Sequence, residues 1–325
     1  MELVAFSNTG TEAVMAALRL ARAATKRNKI ALFSGSYHGH FDGTLAVVKK
    51  INGDLRTIPK APGIPANFIE DVLVLDYGSP HALEIIKAHQ HELAAVLVEP
   101  VQSRRLDLQP KEFLQQLRQL TKESEIALIF DEMVTGFRIH QGGAQAWFGI
   151  EADIATYGKI VGGMPIGIIA GKAAYMDKID GGLWNYGDDS YPQVKTTIFA
   201  GTFCKHPLAL AAARCVLRYL KSQGPALQQQ LNQRTSQLVE TLNAYLKENE
   251  VSVSLVNFGS QFRAVASVEI DPLLFHLLEK RIFICEGRSC FLSTAHTHED
   301  TERIIQAVKE SIQEMREGGF FPIQQ

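Results

Sequence analysis

Short, continuously apolar runs recur along the N-terminal part of the chain, with helix-like stretches between them. "KIALFS" (Lys29–Ser34), "VLVLDY" (Val72–Tyr77), "AAVLVEP" (Ala94–Pro100) and "IALIFDE" (Ile126–Glu132) carry no polar alternation. A strand of that kind has to be buried on both faces, which happens in parallel sheets covered by helices. Between the runs, Glu12–Lys26 places apolar residues at helical spacing, and Lys111–Lys122, Pro207–Ser222 and Ala226–Lys247 also read as helices. Strands alternating with helices predict an α/β chain with a mostly parallel central sheet and right-handed crossovers. Leu3–Phe6, "DIATYG" (Asp153–Gly158), "IGIIAG" (Ile166–Gly171) and "TTIFAG" (Thr196–Gly201) are further candidate strands.

Near Val251 the rhythm changes. "SQFRAVASVEI" (Ser260–Ile270), a helix at Pro272–Glu279, the stretch "RIFICEG" and a closing helix at Glu299–Glu317 suggest a smaller α+β unit. The expected division is a large domain over residues 1–222, then a linking helix and small domain over 223–325. The first helix follows a strand of only a few residues, so we expect the sheet to have lost an upstream segment. A net charge of −2 and the lack of a basic patch argue against a nucleic-acid partner. No apolar run is long enough for a membrane span, and "MELVAFSNTG" does not read as a signal peptide. The four cysteines show no CxxC spacing, as expected of reduced thiols in a cytoplasmic protein.

Ligands of open α/β sheets bind at the carboxyl ends of the strands, so the residues there come first. "SNTGTEA" (Ser7–Ala13) leads from a strand into a helix, and its Thr9, Gly10 and Thr11 suit an anion site or a plain helix cap. Asp131 directly follows an apolar strand. A buried carboxylate needs a partner, which is a cation, a protonated ring nitrogen, a loop N–H or Arg138. Lys159 follows "DIATYG". It reads either as a solvated lysine or as a desolvated amine able to form a Schiff base. "GSYHGH" (Gly35–His40) sets Tyr37 and His38 between glycines, where an aromatic ring either stacks on a planar ligand or fills a turn. The H-x-H pairs lack the further ligands a metal site needs. An anion cradle, an aromatic, an Asp and a Lys at one sheet edge match the needs of pyridoxal phosphate: an amine to link to, a carboxylate at the ring nitrogen and a phosphate site.

The stretches "SNTGTEA", "GSYHG", "VLVEPVQ", "IFDEMVTGFR", "GKIVGG-MPIG" and "AGTFCKHPLALAAA" together resemble class III pyridoxal-phosphate aminotransferases of fold type I. They are most similar to glutamate-1-semialdehyde 2,1-aminomutase. "WNYGDDSYPQVKTTIFAGTFCKHPLA" and "EGRSCFLSTAHTHEDTERIIQAVKESI" are closer still to aminotransferase domains embedded in hybrid polyketide synthase/nonribosomal peptide synthetases of the microcystin type. The resemblance implies the following roles. Lys159 links to the cofactor and moves the substrate proton, and Asp131 holds the pyridine nitrogen. Met133 packs on one ring face, where relatives have a smaller apolar residue, and Tyr37 stacks on the other with His38 beside it. Thr9, Gly10 and Thr11 hold the phosphate, and Thr202 reaches the phosphate of the neighbouring subunit of a homodimer.

Three departures from the family pattern stand out. Only Gly162 and Gly163 precede Met164-Pro165, where relatives carry three glycines. Ser103 replaces a glycine after "EPVQ", with Arg104 beyond it. The long N-terminal stretch of the family has no counterpart. The reading that follows is amino transfer from an amino acid donor to a keto or aldehyde acceptor, specifically a β-ketoacyl chain on a carrier protein. The alternatives are the aminomutase reaction and a truncated, inactive domain.

Overall fold

The computed structural model describes residues 1–51, 54–266, 270–285 and 287–320. Residues 267–269 of the Ser260–Ile270 stretch and residue 286 of "RIFICEG" lie outside the described residues. The chain forms two compact units, one of residues 1–103 and 108–222, the other of residues 104–107 and 223–325.

The first unit runs β1 (Leu3–Ser7), α1 (Gly10–Thr25), β2 (Lys29–Phe33), β3 (Ala46–Ile51), β4 (Asp54–Pro59), β5 (Val72–Leu75), α2 (Pro80–Ala88), β6 (Leu93–Val98), α3 (Lys111–Glu123), β7 (Ala127–Asp131), α4 (Gly143–Phe148), β8 (Ile154–Tyr157), β9 (Gly167–Gly171), α5 (Ala173–Met176) and α6 (Pro207–Gln223). Seven strands form one sheet in the order β1-β9-β8-β7-β6-β2-β5. The run from β8 to β5 is parallel, as the apolar strands predict. β9 alone runs against its neighbours, pairing Ile154 with Gly171 on one side and Ser7 with Gly167 on the other. The connection from β8 to β9 is therefore a tight reversal rather than a helical crossover, and the glycines after Lys159 lie in it.

Every residue of β6 and β7 is buried, which accounts for the lack of polar alternation in their sequences. α1 presents Ala13, Val14, Ala17, Leu18 and Ala21 to the same core as Ile30, Leu97 and Ile129. The alanines let the helix axis approach the sheet closely, and burying Leu18 contributes about 1.5–3 kcal/mol. Thr9 caps α1 by accepting the Glu12 N–H, and Lys26 ends it in the left-handed region at φ 58°.

Thr196–Gly201, expected as a strand, is irregular coil. Ile198 is exposed, and among the described residues the segment has no ladder partner to make its apolar residues a strand. Neither the β3–β4 hairpin nor α2 is among the elements expected from the sequence.

The second unit comprises α7 (Ala226–Glu248), β10 (Val253–Phe258), β11 (Gln261–Ala266), α8 (Asp271–Glu279), β12 (Cys290–Phe291) and α9 (His298–Glu317). Its antiparallel sheet runs in the order β10-β11-β12. Leu238, Leu242, Phe262, Leu277 and Ile312 form its core. A capping box between Thr297 and Asp300 starts α9.

Candidate active site

Because β1, β2, β6, β7 and β8 all point the same way, the segments that follow them emerge at one edge of the sheet. The segments after β1, β2, β7 and β8 carry the parts of the expected site.

Asp131 is the last residue of β7 and is 3% exposed. Its Oδ1 accepts the Met133 N–H (3.2 Å) and the Thr156 hydroxyl (3.1 Å), and its Oδ2 lies 2.8 Å from His38 Nδ1. Strand pairing brings these groups together, since Asp131 stands opposite Thr156 in the β7–β8 register. The partner of Asp131 is thus His38, not Arg138, whose Nε donates to the Val134 carbonyl. With Asp131 ionised, His38 donates from Nδ1, and its buried Nε2 has no partner among the described residues. The sequence set His38 simply beside Tyr37. The structure joins it to the aspartate instead.

Lys159 follows β8 and Gly158. Its side chain is exposed rather than desolvated, and it has no hydrogen-bonding or ionic partner among the described residues. Its backbone sits at φ 48°. The left-handed region costs a non-glycine residue roughly 1–2 kcal/mol, and such conformations concentrate at functional sites. Gly162 follows at φ 101°, where a Cβ would lie 2.7 Å from the Ala213 nitrogen of α6. Gly163, at φ 66°, faces open space. Two glycines thus suffice to carry the chain from Lys159 past α6 and back into β9.

Met133 is 9% exposed, and its thioether lies between two glycines. A Cβ on Gly10 would come within 2.9 Å of Sδ, and one on Gly158 within 2.8 Å. Both glycines are required by close approach, and Met133 connects the start of α1 to the turn that carries Lys159. In α1, Thr9 and Glu12 cap locally, with Glu12 Oε2 accepting the Asn8 N–H at 2.6 Å. The N–H groups of Gly10 and Thr11 have no partner among the described residues, which suits an anion at this helix start. Thr11 Oγ1 accepts the His40 N–H at 3.3 Å and lies against Gly39, tying α1 to the Tyr37 loop. Tyr37 is 46% exposed at the mouth of this edge. Thr202 is exposed and makes no hydrogen bond to the Thr9–Thr11 segment among the described residues. Its neighbour Gly201 lies close to Asn8, where an added Cβ would be 3.6 Å from Nδ2.

Sequence reasoning assigned no role to two buried carboxyl groups here. Glu99, just past β6, accepts the N–H groups of Tyr37 (3.2 Å) and Ser103 (2.8 Å). Glu132, next to Asp131, accepts the N–H groups of Ala144 (2.7 Å) and Gln145 (3.0 Å) and the Thr135 hydroxyl (2.7 Å). Burial pushes both carboxyl groups above the usual carboxylate range. The signal for Glu99 was the one that found Asp131, an acid directly after an apolar strand.

A mostly parallel seven-stranded sheet with one reversed strand, and its polar residues gathered at one edge, is the architecture of fold type I pyridoxal-phosphate-dependent aminotransferases. The first structural likeness is to a solved "Transaminase with PLP bound", at a TM-score of 0.87 and 29% identity over 98% of this chain and 75% of that one. A β-phenylalanine aminotransferase from Variovorax paradoxus superposes with a TM-score of 0.80 at 29% identity, covering 98% of this chain and 71% of that one. In sequence, the chain is 37% identical to glutamate-1-semialdehyde 2,1-aminomutase of Alkaliphilus oremlandii over 97% of its own length and 75% of that protein. Residues 1–265 match the family described as Aminotransferase class-III. The chain belongs to the class III aminotransferases, and it is a pyridoxal-phosphate-dependent transaminase.

Proposed function

We propose that Lys159 is the attachment point of pyridoxal phosphate and that the chain moves an amino group within glutamate-1-semialdehyde, as its sequence relatives are named for. The observation that carries the cofactor assignment is that Asp131 ends β7 and Lys159 follows its paired neighbour β8, with Met133 filling the gap between Gly10 and Gly158. The residues fit the group. Asp131 is a buried carboxylate able to hold a proton at a ring nitrogen. Gly10 and Gly158 let Met133 approach closely, and the Gly10 and Thr11 N–H groups face no competing protein acceptor among the described residues. When bound, the cofactor supplies an electron sink for the charge that develops as a substrate proton leaves.

The chain's own residues do the rest. Asp131, oriented by His38 and Thr156, keeps the ring nitrogen protonated. Met133 and Tyr37 confine the ring between its two faces. The first turn of α1 receives the phosphate. The Lys159 amine, exposed and free to swing, takes the proton from the substrate carbon and returns it. We place Thr202 at the phosphate of a second subunit, with the protein acting as a homodimer.

Borohydride reduction of the holoprotein followed by peptide mapping tests the attachment. The expected result is a reduced pyridoxyl group on Lys159 and none after Lys159→Ala. Turnover of glutamate-1-semialdehyde without any added amino acceptor tests the reaction, and failure with this substrate alone overturns the aminomutase reading.

A second reading is favoured by the likeness to the β-phenylalanine aminotransferase. In it the amine passes from an amino acid donor to a separate β-keto acceptor, and turnover then requires both compounds. The carrier-bound acceptor expected from the sequence has no support in these comparisons, and the aminomutase reading replaces it.

A further inference from the structure

The loop that carries Tyr37 is held from three other strand ends. After β6, Gln102 Nε2 donates to the Ser34 carbonyl (2.8 Å) and the Ser36 hydroxyl (2.9 Å). Glu99, also after β6, accepts the Tyr37 N–H through Oε2 at 3.2 Å. After β7, Asp131 holds the His38 ring at 2.8 Å. After β1, Thr11 packs on Gly39, which takes φ 82° to make that approach possible. Consecutive residues of one loop are thus fixed one by one, while the Tyr37 ring itself is left half exposed.

Glu99 is the unusual member of this set. It is 3% exposed, and no cation pairs with it among the described residues. Burying a carboxyl group without a counter-ion is costly. Its Oε1 serves the turn it stands in by accepting the Ser103 N–H at 2.8 Å, a task one neutral acceptor could perform. Its Oε2 reaches instead to another strand end and accepts the backbone N–H of Tyr37. The titratable groups around it are His38, Asp131 and, beyond β5, the Tyr77 hydroxyl.

We propose that Glu99 is a positioning residue for the cofactor ring: with Asp131 it clamps the Tyr37–His38 dipeptide at both ends, and it sets the stance of the Tyr37 ring through the Tyr37 N–H. This rests on the reading of Tyr37 as a ring-stacking residue.

The test is a double-mutant cycle on pyridoxal phosphate affinity, read by quenching of the apoprotein's intrinsic fluorescence. The near-isosteric Glu99→Gln turns one acceptor into a donor facing an N–H, and the shorter Glu99→Asp withdraws both oxygens. If the glutamine variant does not fold, as judged by circular dichroism, the aspartate variant carries the test. Either should weaken binding about tenfold when Tyr37 is present. In a Tyr37→Ala background the same change should weaken binding by less than about twofold, because the ring it positions is gone. Equal penalties in both backgrounds, or none in either, overturn the proposal.

A second readout needs no cofactor. Amide hydrogen exchange of the peptide covering residues 34–40 in the apoprotein should accelerate about tenfold in the Glu99 variants, with β6 and β7 unaffected. Unchanged exchange in that peptide overturns the clamp. A wild-type protein that binds no pyridoxal phosphate, yet shows the faster exchange on substitution, leaves the clamp standing and removes the cofactor reading instead.

Discussion

At the scale of single residues, the site is organised around one carboxylate. Asp131 satisfies the Met133 N–H, the Thr156 hydroxyl and His38 at once. Truncation at Asp131 therefore does more than remove the proposed cofactor ligand: it strands three buried donors. Asp131→Ala should destabilise the apoprotein by about 3 kcal/mol, measured by urea denaturation. It should also abolish retention of pyridoxal phosphate through gel filtration. A variant as stable as the wild type would show that His38 finds another partner. Lys159 illustrates the opposite case. Among the described residues nothing but its backbone tethers it, and that backbone takes a left-handed φ of 48°. A proton-shuttling amine gains from that freedom, because it has to leave its resting place in each cycle.

At the scale of elements, two connections carry the argument. The first is the hairpin from β8 to β9. Gly162→Ala drives a Cβ into the backbone of α6, with contacts of 2.7 and 2.9 Å to Ala213 N and Ala212 C. Gly163→Ala meets only the conformational cost of the left-handed region, about 1–2 kcal/mol. Thermal melts should rank Gly162→Ala well below Gly163→Ala, and equal melting points would mean that α6 yields without cost. The second connection is α4, whose first N–H groups end on Glu132. Burial raises the Glu132 carboxyl in the folded protein, so the folded state binds a proton more readily than the unfolded chain. Its contribution to stability is then fully present at acid pH and is lost as pH rises through the carboxylate range and above. Glu132→Gln does not titrate. Denaturant melts at a series of pH values should show this variant gaining on the wild type as pH rises from acid toward neutral, and a constant difference between them would refute the assignment.

At the scale of the whole molecule, two compact units each carry their own core. The cofactor residues proposed here fall within the first unit. Among the described residues no helix is long and apolar enough to cross a membrane. Exposed apolar side chains crowd one stretch of the first unit, with Leu183, Tyr186, Tyr191, Ile198, Phe203 and Leu208 all at least 64% exposed. Thr202, proposed to reach the phosphate of a second subunit, lies in that stretch. Mixing Lys159→Ala protein with Thr202→Ala protein should then restore part of the activity that each lacks alone. In a mixed dimer one site draws an intact lysine and an intact threonine from different chains. No recovery after subunit exchange, with exchange verified by native mass spectrometry, would place Thr202 outside the neighbouring subunit's site.

The sequence by itself determined the sheet and most of its edge. The buried strands were legible because a strand covered on both faces cannot alternate, and "IALIFDE" has no other way to be buried. Asp131 and Lys159 were legible because polar residues that end such strands must fall at the ligand-binding edge. Only the tertiary structure decided the partners. His38 and Asp131 are 93 residues apart, and no local pattern says that β2 and β7 bring them to 2.8 Å. The bond from Glu99 to the Tyr37 backbone depends on β2 and β6 being neighbours in the sheet, a consequence of strand order rather than of either motif. Thr196–Gly201 shows the limit from the other side. Its residues suit a strand, but a strand exists only where a neighbour supplies the hydrogen bonds. Local sequence specifies which residues seek burial and which ends carry charge, while the pairing of distant groups is fixed by strand order.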